Sequence, residues 1–156
     1  MPIEIERKFR VVAMDDIDLP SGIPIDQGYL SEGDPTVRVR TKGDRGWLTI
    51  KAPGRSPADT KGALVRNEYE YEIPFDEAKE LLDLARYRLQ KVRYFLTGGV
   101  ELDIFHGRHA GLILAEFESD DGSQPQPIRG VRWKEVTSDR RYSNAWIARN
   151  GIPEEK

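Results

Sequence analysis

The sequence predicts a mainly β fold of the α+β kind: an antiparallel sheet, closed or nearly closed, with helices on its outside or at its ends. Three observations predict it. Short segments alternate polar and apolar side chains with the two-residue period of half-buried strands. Turn residues such as Gly43-Asp44-Arg45-Gly46 and Thr97-Gly98-Gly99 separate them at hairpin spacing. Only two stretches, one after Pro74 and one near the carboxyl terminus, carry helical spacing. With 156 residues the chain reads as one domain, 1–156, large enough to bury a core without covalent staples.

In chain order, the first strand places Glu4, Glu6 and Lys8 on one face and Ile3, Ile5 and Phe9 on the other. Asp15 to Gly22 is a turn-rich connection that is expected to hold a short irregular turn of helix. Ile25 to Ser31 forms a second strand, broken by Glu32-Gly33-Asp34-Pro35. A hairpin pairs Thr36–Lys42, with Arg38 and Arg40 on one face, and Trp47–Ala52, with Trp47, Thr49 and Lys51 aligned. Pro53 to Gly62 is a loop, either a flap or a plain connection. Asn67 to Ile73 alternates Glu68, Glu70 and Glu72 against Tyr69, Tyr71 and Ile73. The clearest helix follows Pro74, with Ala78, Leu81, Leu82 and Ala85 on one stripe that must lie against an apolar surface.

Leu89 to Leu96 places Lys91 and Arg93 on one face, Val100 to Phe105 carries Glu101 and Asp103, and Leu112 to Glu118 carries Glu116 and Glu118. Val131 to Val136 is the last strand and Tyr142 to Arg149 a short closing helix. The count is eight or nine strands. His106 and His109 read as surface turn residues, Trp133 and Trp146 as packing residues, and Glu154-Glu155-Lys156 as a frayed tail. Arg140 and Arg141 either reach the site or cap the segment before them.

The 27 acids and 24 bases give a net charge of −3, which argues against nucleic acid or an anionic membrane as a general partner. With no cysteine there is neither a disulfide nor a thiolate metal site, and no leader or spanning segment is evident, so a cytoplasmic protein is expected. The charged strand faces allow two arrangements. In one they line an open sheet and face water; in the other the sheet closes and they line a wet lumen. Same-face pairs of like charge, such as Arg38/Arg40 and Glu68/Glu70, repel one another unless neighbouring strands or a ligand compensate. A lining of carboxylates together with guanidinium and ammonium groups suits a complex of a polyanion with hard divalent cations: carboxylate oxygens hold the metal, and Arg forks and Lys point charges hold phosphate.

Glu4-x-Glu6-x-Lys8 resembles the ExExK signature of the CYTH superfamily, the triphosphate tunnel metalloenzymes. The resemblance extends through Gln27-Gly28-Tyr29-Leu30, Arg38-x-Arg40, Thr49-x-Lys51, Glu68-Tyr69-Glu70, Lys91-x-Arg93-Tyr94, Glu101-Leu102-Asp103, Glu116-x-Glu118, Glu135-Val136-Thr137 and Tyr142-Ser143-Asn144. It implies a closed antiparallel eight-stranded β-barrel with flanking helices, whose tunnel binds a triphosphate together with Mg²⁺ or Mn²⁺. Carried over by position, Glu4, Glu6, Asp103, Glu116 and Glu118 are candidate metal ligands, with Glu68 and Glu70 for a second ion. Lys8, Arg38, Arg40, Lys51 and Arg93 are the candidate phosphate-binding residues. Lys91 and Tyr29 are candidate catalytic residues near the tunnel mouth, with a purely structural Tyr29 equally open. The implied activity is hydrolysis of a triphosphate, inorganic tripolyphosphate foremost. A class IV adenylyl cyclase and a non-catalytic triphosphate- or polyphosphate-binding module are the alternatives, and a homodimer is an open assembly.

Overall fold

The computed structural model describes residues 3–54 and 60–155. Its strands are β1 (Ile3–Met14), β2 (Ile23–Tyr29), β3 (Thr36–Lys42), β4 (Arg45–Pro53), β5 (Leu64–Ile73), β6 (Tyr87–Phe95), β7 (Val100–His106), β8 (Ile113–Glu118) and β9 (Val131–Glu135); its α-helices are α1 (Phe75–Leu84) and α2 (Asn144–Asn150). Hydrogen-bonded neighbours follow the order β5-β4-β3-β2-β6-β7-β8-β1, and β5 pairs back to β1. Eight antiparallel strands therefore close a barrel, as the resemblance implied, and β9 lies outside the ring against the second half of β1.

The long β1 makes this closure possible. Its first residues pair with β5 (Glu4 opposite Arg66), its middle with β8 (Lys8 opposite Glu116), and its end with β9. Residues opposite one another share a face, so each charged series can be followed round the ring. Most acids and bases of β1, β3, β5, β6 and β8 fall on the lumen side, Arg7 and Arg88 being on the outer face, and most aliphatic residues fall outside.

An apolar outer wall needs a cover. The helix α1 provides it over β2, β3 and β4, burying Ala78 and Leu82 against Val39. It begins without a side-chain cap, but Asp76 and Glu77 in its first turn complement the helix dipole. The fit is close enough to demand glycine: a Cβ on Gly46 would lie 2.5 Å from the Ala78 Cβ, and one on Gly28 2.5 Å from the Ala85 Cβ. On the far side, β9 and the connections cover Phe9, Val100, Leu102 and Ala115. Trp133 packs as expected, its ring stacked 4.6 Å from that of Phe9.

A third cluster fills one end of the lumen. Tyr29, Leu89, Phe105, Leu112 and Leu114, at lumen-facing register positions, pack with Tyr142, Ile147 and Ala148 of the carboxyl-terminal segment. Arg10 ties this segment down through the Tyr142 hydroxyl and the Pro153 carbonyl, each at 2.8 Å.

Several expectations are corrected. Asp15 to Gly22 forms no helical turn; it runs without regular structure, held by a 2.7 Å bond from the Asp15 N–H to the Gly130 carbonyl. The strand expected from Asn67 begins at Leu64, because pairing with β1 extends it. His109 is buried rather than exposed, and its Nε2 lies 3.0 Å from the Ile147 carbonyl. The tail is pinned rather than frayed as far as Glu155, which pairs with Arg10 at 3.3 Å; Lys156 lies outside the described residues, as do residues 55–59 of the expected Pro53–Gly62 loop. Arg141 caps its own segment, bonding Asp139 and the Glu154 carbonyl. No described helix is long and apolar enough to cross a membrane.

The Gly46 contact is testable. Gly46→Val should force α1 off the barrel wall and cost about 1–3 kcal/mol, read as a lower thermal midpoint. An unchanged midpoint would show that α1 does not depend on this approach.

Candidate functional site

The lumen is electrically divided across its diameter. In a ring of eight, β2 is four strands from β1 in either direction, so β3-β2-β6 faces β8-β1-β5. Lumen-facing positions on the first wall carry Arg38, Arg40, Lys42, Lys91 and Arg93 and no acid. Those on the second carry Glu4, Glu6, Glu68, Glu70, Glu72, Glu116 and Glu118, with Lys8, Arg10 and Arg66 as the bases. The flanking strands carry Thr49 and Lys51 on β4 and Glu101 and Asp103 on β7. Glu70, Glu72 and Glu118 are exposed at the open end, while Gln27, Lys91 and Asp103 lie buried towards the filled end.

Ion pairs run within the acidic wall, to the flanking strands and across the lumen. The Lys51 Nζ is 3.0 Å from Glu4 and 3.3 Å from Glu68; Lys8 is 3.8 Å from Glu116; Arg38 is 3.6 Å from Glu70. Arg93 reaches Glu101 at 3.4 Å, Glu116 at 3.8 Å and Asp103 at 2.8 Å. Asp103, fully buried, accepts bonds on one oxygen from Arg93 and on the other from both Arg93 and Lys91. The structure thus brings the expected metal-ligand and phosphate-binding residues into one lumen, with Asp103 engaged by two cations.

Compensation is incomplete on both walls. The buried Arg38 Nε has no hydrogen-bond partner. Among the described residues Arg40 bonds only the neutral Gln27, at 3.0 Å, and has no carboxylate within ion-pair distance. Burial, with Arg38 and Arg93 nearby, lowers the Arg40 pKa, although a guanidinium stays cationic at neutral pH. Across the lumen, burial together with Glu116 and Glu4 pushes the Glu6 carboxyl up to about 8. Burial raises Glu116 as well, but Lys8, Lys91 and Arg93 outweigh it and hold that carboxyl well below the ordinary range. Burial and its acidic neighbours also raise Glu118. The basic wall therefore lacks anions and the acidic wall lacks cations.

Lys91 and Tyr29 each bond other partners. The Lys91 Nζ donates to Asp103 and to the Asn144 Oδ1, each at 2.7 Å; Tyr29 lies in the apolar cluster and its hydroxyl accepts from the Gln27 Nε2 at 2.8 Å. Burial and the neighbouring Arg93 and Arg40 push the Lys91 amine down to about 7, against the pull of Asp103.

Sequence reasoning passed over several lumen residues that the same two-residue period marks: Arg10 after Lys8, Lys42 after Arg40, and Arg66 before Glu68. Asn144 has no such local signal, because a helix far along the chain delivers it.

Hard oxygen donors suit Mg²⁺ or Mn²⁺, and acids that raise one another's pKa are relieved by a cation. Among the described residues no group of three acidic or histidine side chains could hold a metal ion by itself. Magnesium commonly takes one or two carboxylates and completes its shell with substrate oxygens and water, so the donor set fits an ion bound together with a polyanion.

The Glu6 carboxyl has a folded pKa of about 8, above its ordinary 4.5, so between those values the folded state binds more protons than the unfolded one. Stability of the ligand-free protein should fall as pH rises through that window. Glu6→Gln should melt higher than the parent protein at pH 8, by ~2–4 °C per kcal/mol relieved. Equal midpoints at that pH would refute the charge deficit on the acidic wall.

Known proteins agree with this geometry. Residues 2–104 match the family model of the CYTH domain. An inorganic triphosphatase of Acetivibrio thermocellus is 37% identical over 155 residues, covering 94% of each chain. Another, of Nitrosomonas europaea, is 36% identical over 157 residues, covering 93% of this chain and 96% of the relative. A crystal structure of an inorganic triphosphatase superposes with a TM-score of 0.64 at 33% identity, covering 99% of both chains. A closed barrel with opposed charged walls, these identities and the domain match lead to one assignment: the chain belongs to the CYTH domain family.

Proposed function

We propose that this protein hydrolyses a phosphoanhydride bond of a triphosphate inside its lumen, with inorganic tripolyphosphate as the foremost substrate and Mg²⁺ or Mn²⁺ as the cofactor. The observation that carries this reading is the opposition of two undercompensated walls: on β3 an unpaired Arg38 Nε and an Arg40 bonded to a neutral amide face crowded carboxylates on β1. A free anion is repelled by one wall and a free cation by the other, whereas their complex satisfies both. The inorganic triphosphatases among its relatives support the choice of substrate.

In this reading Arg38, Arg40, Arg93, Lys51 and Lys8 grip phosphate oxygens, the Arg forks fixing orientation as well as charge. Glu4, Glu6, Glu116 and Glu118 hold the cation, and Glu68 and Glu70 hold a second ion or orient the bases. Held there, such an ion would neutralise the polyphosphate and polarise a phosphoryl oxygen. Phosphoryl transfer needs little from the protein beyond positioning and charge stabilisation, and a fixed lumen supplies both. Asp103, with both oxygens engaged, orients Arg93 and Lys91. In its neutral form the Lys91 amine takes a proton from the attacking water, and Arg93 stabilises charge on the equatorial and leaving oxygens, while Arg40 grips the substrate. Tyr29 acts from a distance, through Gln27.

Phosphate release from tripolyphosphate with Mg²⁺ or Mn²⁺, compared with ATP, tests the proposal. Glu6→Ala should abolish metal-dependent turnover with the circular dichroism spectrum intact, and unchanged hydrolysis would refute the assignment. Arg40→Ala should raise KM by about tenfold or more while kcat changes less, because it removes a charge-assisted grip. An Arg40→Ala enzyme with the parental KM would take β3 out of the binding site.

A further inference from the structure

Two neutral amides stand between the bases of the binding wall. Gln27, fully buried on β2, accepts from the Arg40 Nε through its Oε1 at 3.0 Å. Its Nε2 donates to the Tyr29 hydroxyl at 2.8 Å and to the Asn144 Oδ1 at 3.0 Å. The same Asn144 oxygen accepts from the Lys91 Nζ at 2.7 Å. An unbroken chain thus runs Arg40–Gln27–Asn144–Lys91–Asp103–Arg93, through β3, β2, α2, β6 and β7.

We infer that Gln27 and Asn144 are positioning residues that set the separation and direction of Arg40 and Lys91, making α2 part of the phosphate-binding wall. Like charges on β3 and β6 repel, and long side chains with two or more free rotors would splay apart into the lumen. Lys91 already has Asp103 on one side, and a second carboxylate between it and Arg40 would hold both but would cancel more of the charge that the anion needs. An amide offers acceptors without cancelling it: Gln27 gives one to Arg40, and Asn144 gives one to Lys91. Their remaining hydrogen bond to each other makes the two grips interdependent.

The position of Asn144 is itself fixed. Ser143 caps α2, its hydroxyl accepting from the Trp146 N–H at 3.1 Å. Ile147 and Ala148 are buried in the cluster that fills the lumen end. His109 holds the Ile147 carbonyl and Arg10 holds Tyr142.

The inference rests on the triphosphatase reading for its substrate, and the experiment separates the two. Gln27→Leu and Asn144→Leu are compared with the parent protein by calorimetric affinity for tripolyphosphate, by kcat and KM with Mg²⁺, and by thermal midpoint. Gln27→Leu frees Arg40 and should weaken binding and raise KM by about tenfold with kcat little changed; Asn144→Leu frees Lys91 and should lower kcat by about tenfold or more with a smaller change in affinity. Midpoints close to the parent's accompany this split, whereas loss of a merely structural contact would move the midpoint and both kinetic constants together and would overturn the inference. Variants that bind and turn over like the parent would overturn it too. If the parent binds tripolyphosphate but releases no phosphate, the hydrolytic reading falls, and the positioning role stands or falls on whether the variants lose affinity. A parent that does not bind at all defeats both.

Discussion

Charge opposed across a narrow, partly dry lumen is the constraint on which the rest of this structure depends. Five bases on β3 and β6, the two strands either side of β2, would be untenable in an ordinary core, where each uncompensated charge carries a heavy desolvation cost. They persist here because a facing wall of acids lies across the barrel and the open end admits water and ions. Even so the match is imperfect. Arg38 leaves a buried donor unpaired, and Glu6 is pushed towards neutrality. Ligand-binding sites retain such imbalance, since full internal pairing would leave nothing for the ligand to supply.

This inversion of polarity dictates the architecture outside. A lumen that is apolar only at its filled end offers little central core, so much of the apolar burial lies on the outer wall and at that end. Hence α1 lies against glycines that bring its backbone close to β2 and β4, β9 and the connections cover the opposite side, and α2 closes one end with aromatic and aliphatic side chains. Arg7 shows how strict the rule is. On the outer face of β1, between two lumen residues, it is buried and spends its guanidinium on the carbonyls of Lys61 and Gly122 and on Glu135. A charge buried under the cover of this outer wall is fully bonded, whereas Arg88 on the outer face of β6 stays exposed and pairs with Asp26.

Much of this was legible in the chain because a strand's side chains alternate strictly. Glu4, Glu6 and Lys8, or Lys91 and Arg93, had to share a face whatever the fold, and repetition of the device over many strands argued for a common centre. The same rule would have reached Lys42, Arg66 and Arg10. It failed where the structure departs from period two: the missing helical turn at Asp15 to Gly22, the burial of His109 beneath α2, and the early start of β5, which only its pairing with β1 could reveal.

By itself the sequence determined the strands, their hairpin order, the helix that needed an apolar partner and the charged faces, since these follow from local spacing and turn chemistry. The tertiary structure alone decided that the sheet closes, because closure rests on β1 bonding β5 at one end and β8 in its middle, pairings between segments far apart in the chain. It also decided which wall faces which, and that Asn144 stands against Lys91, contacts set by the ring's geometry and not by any neighbour in sequence.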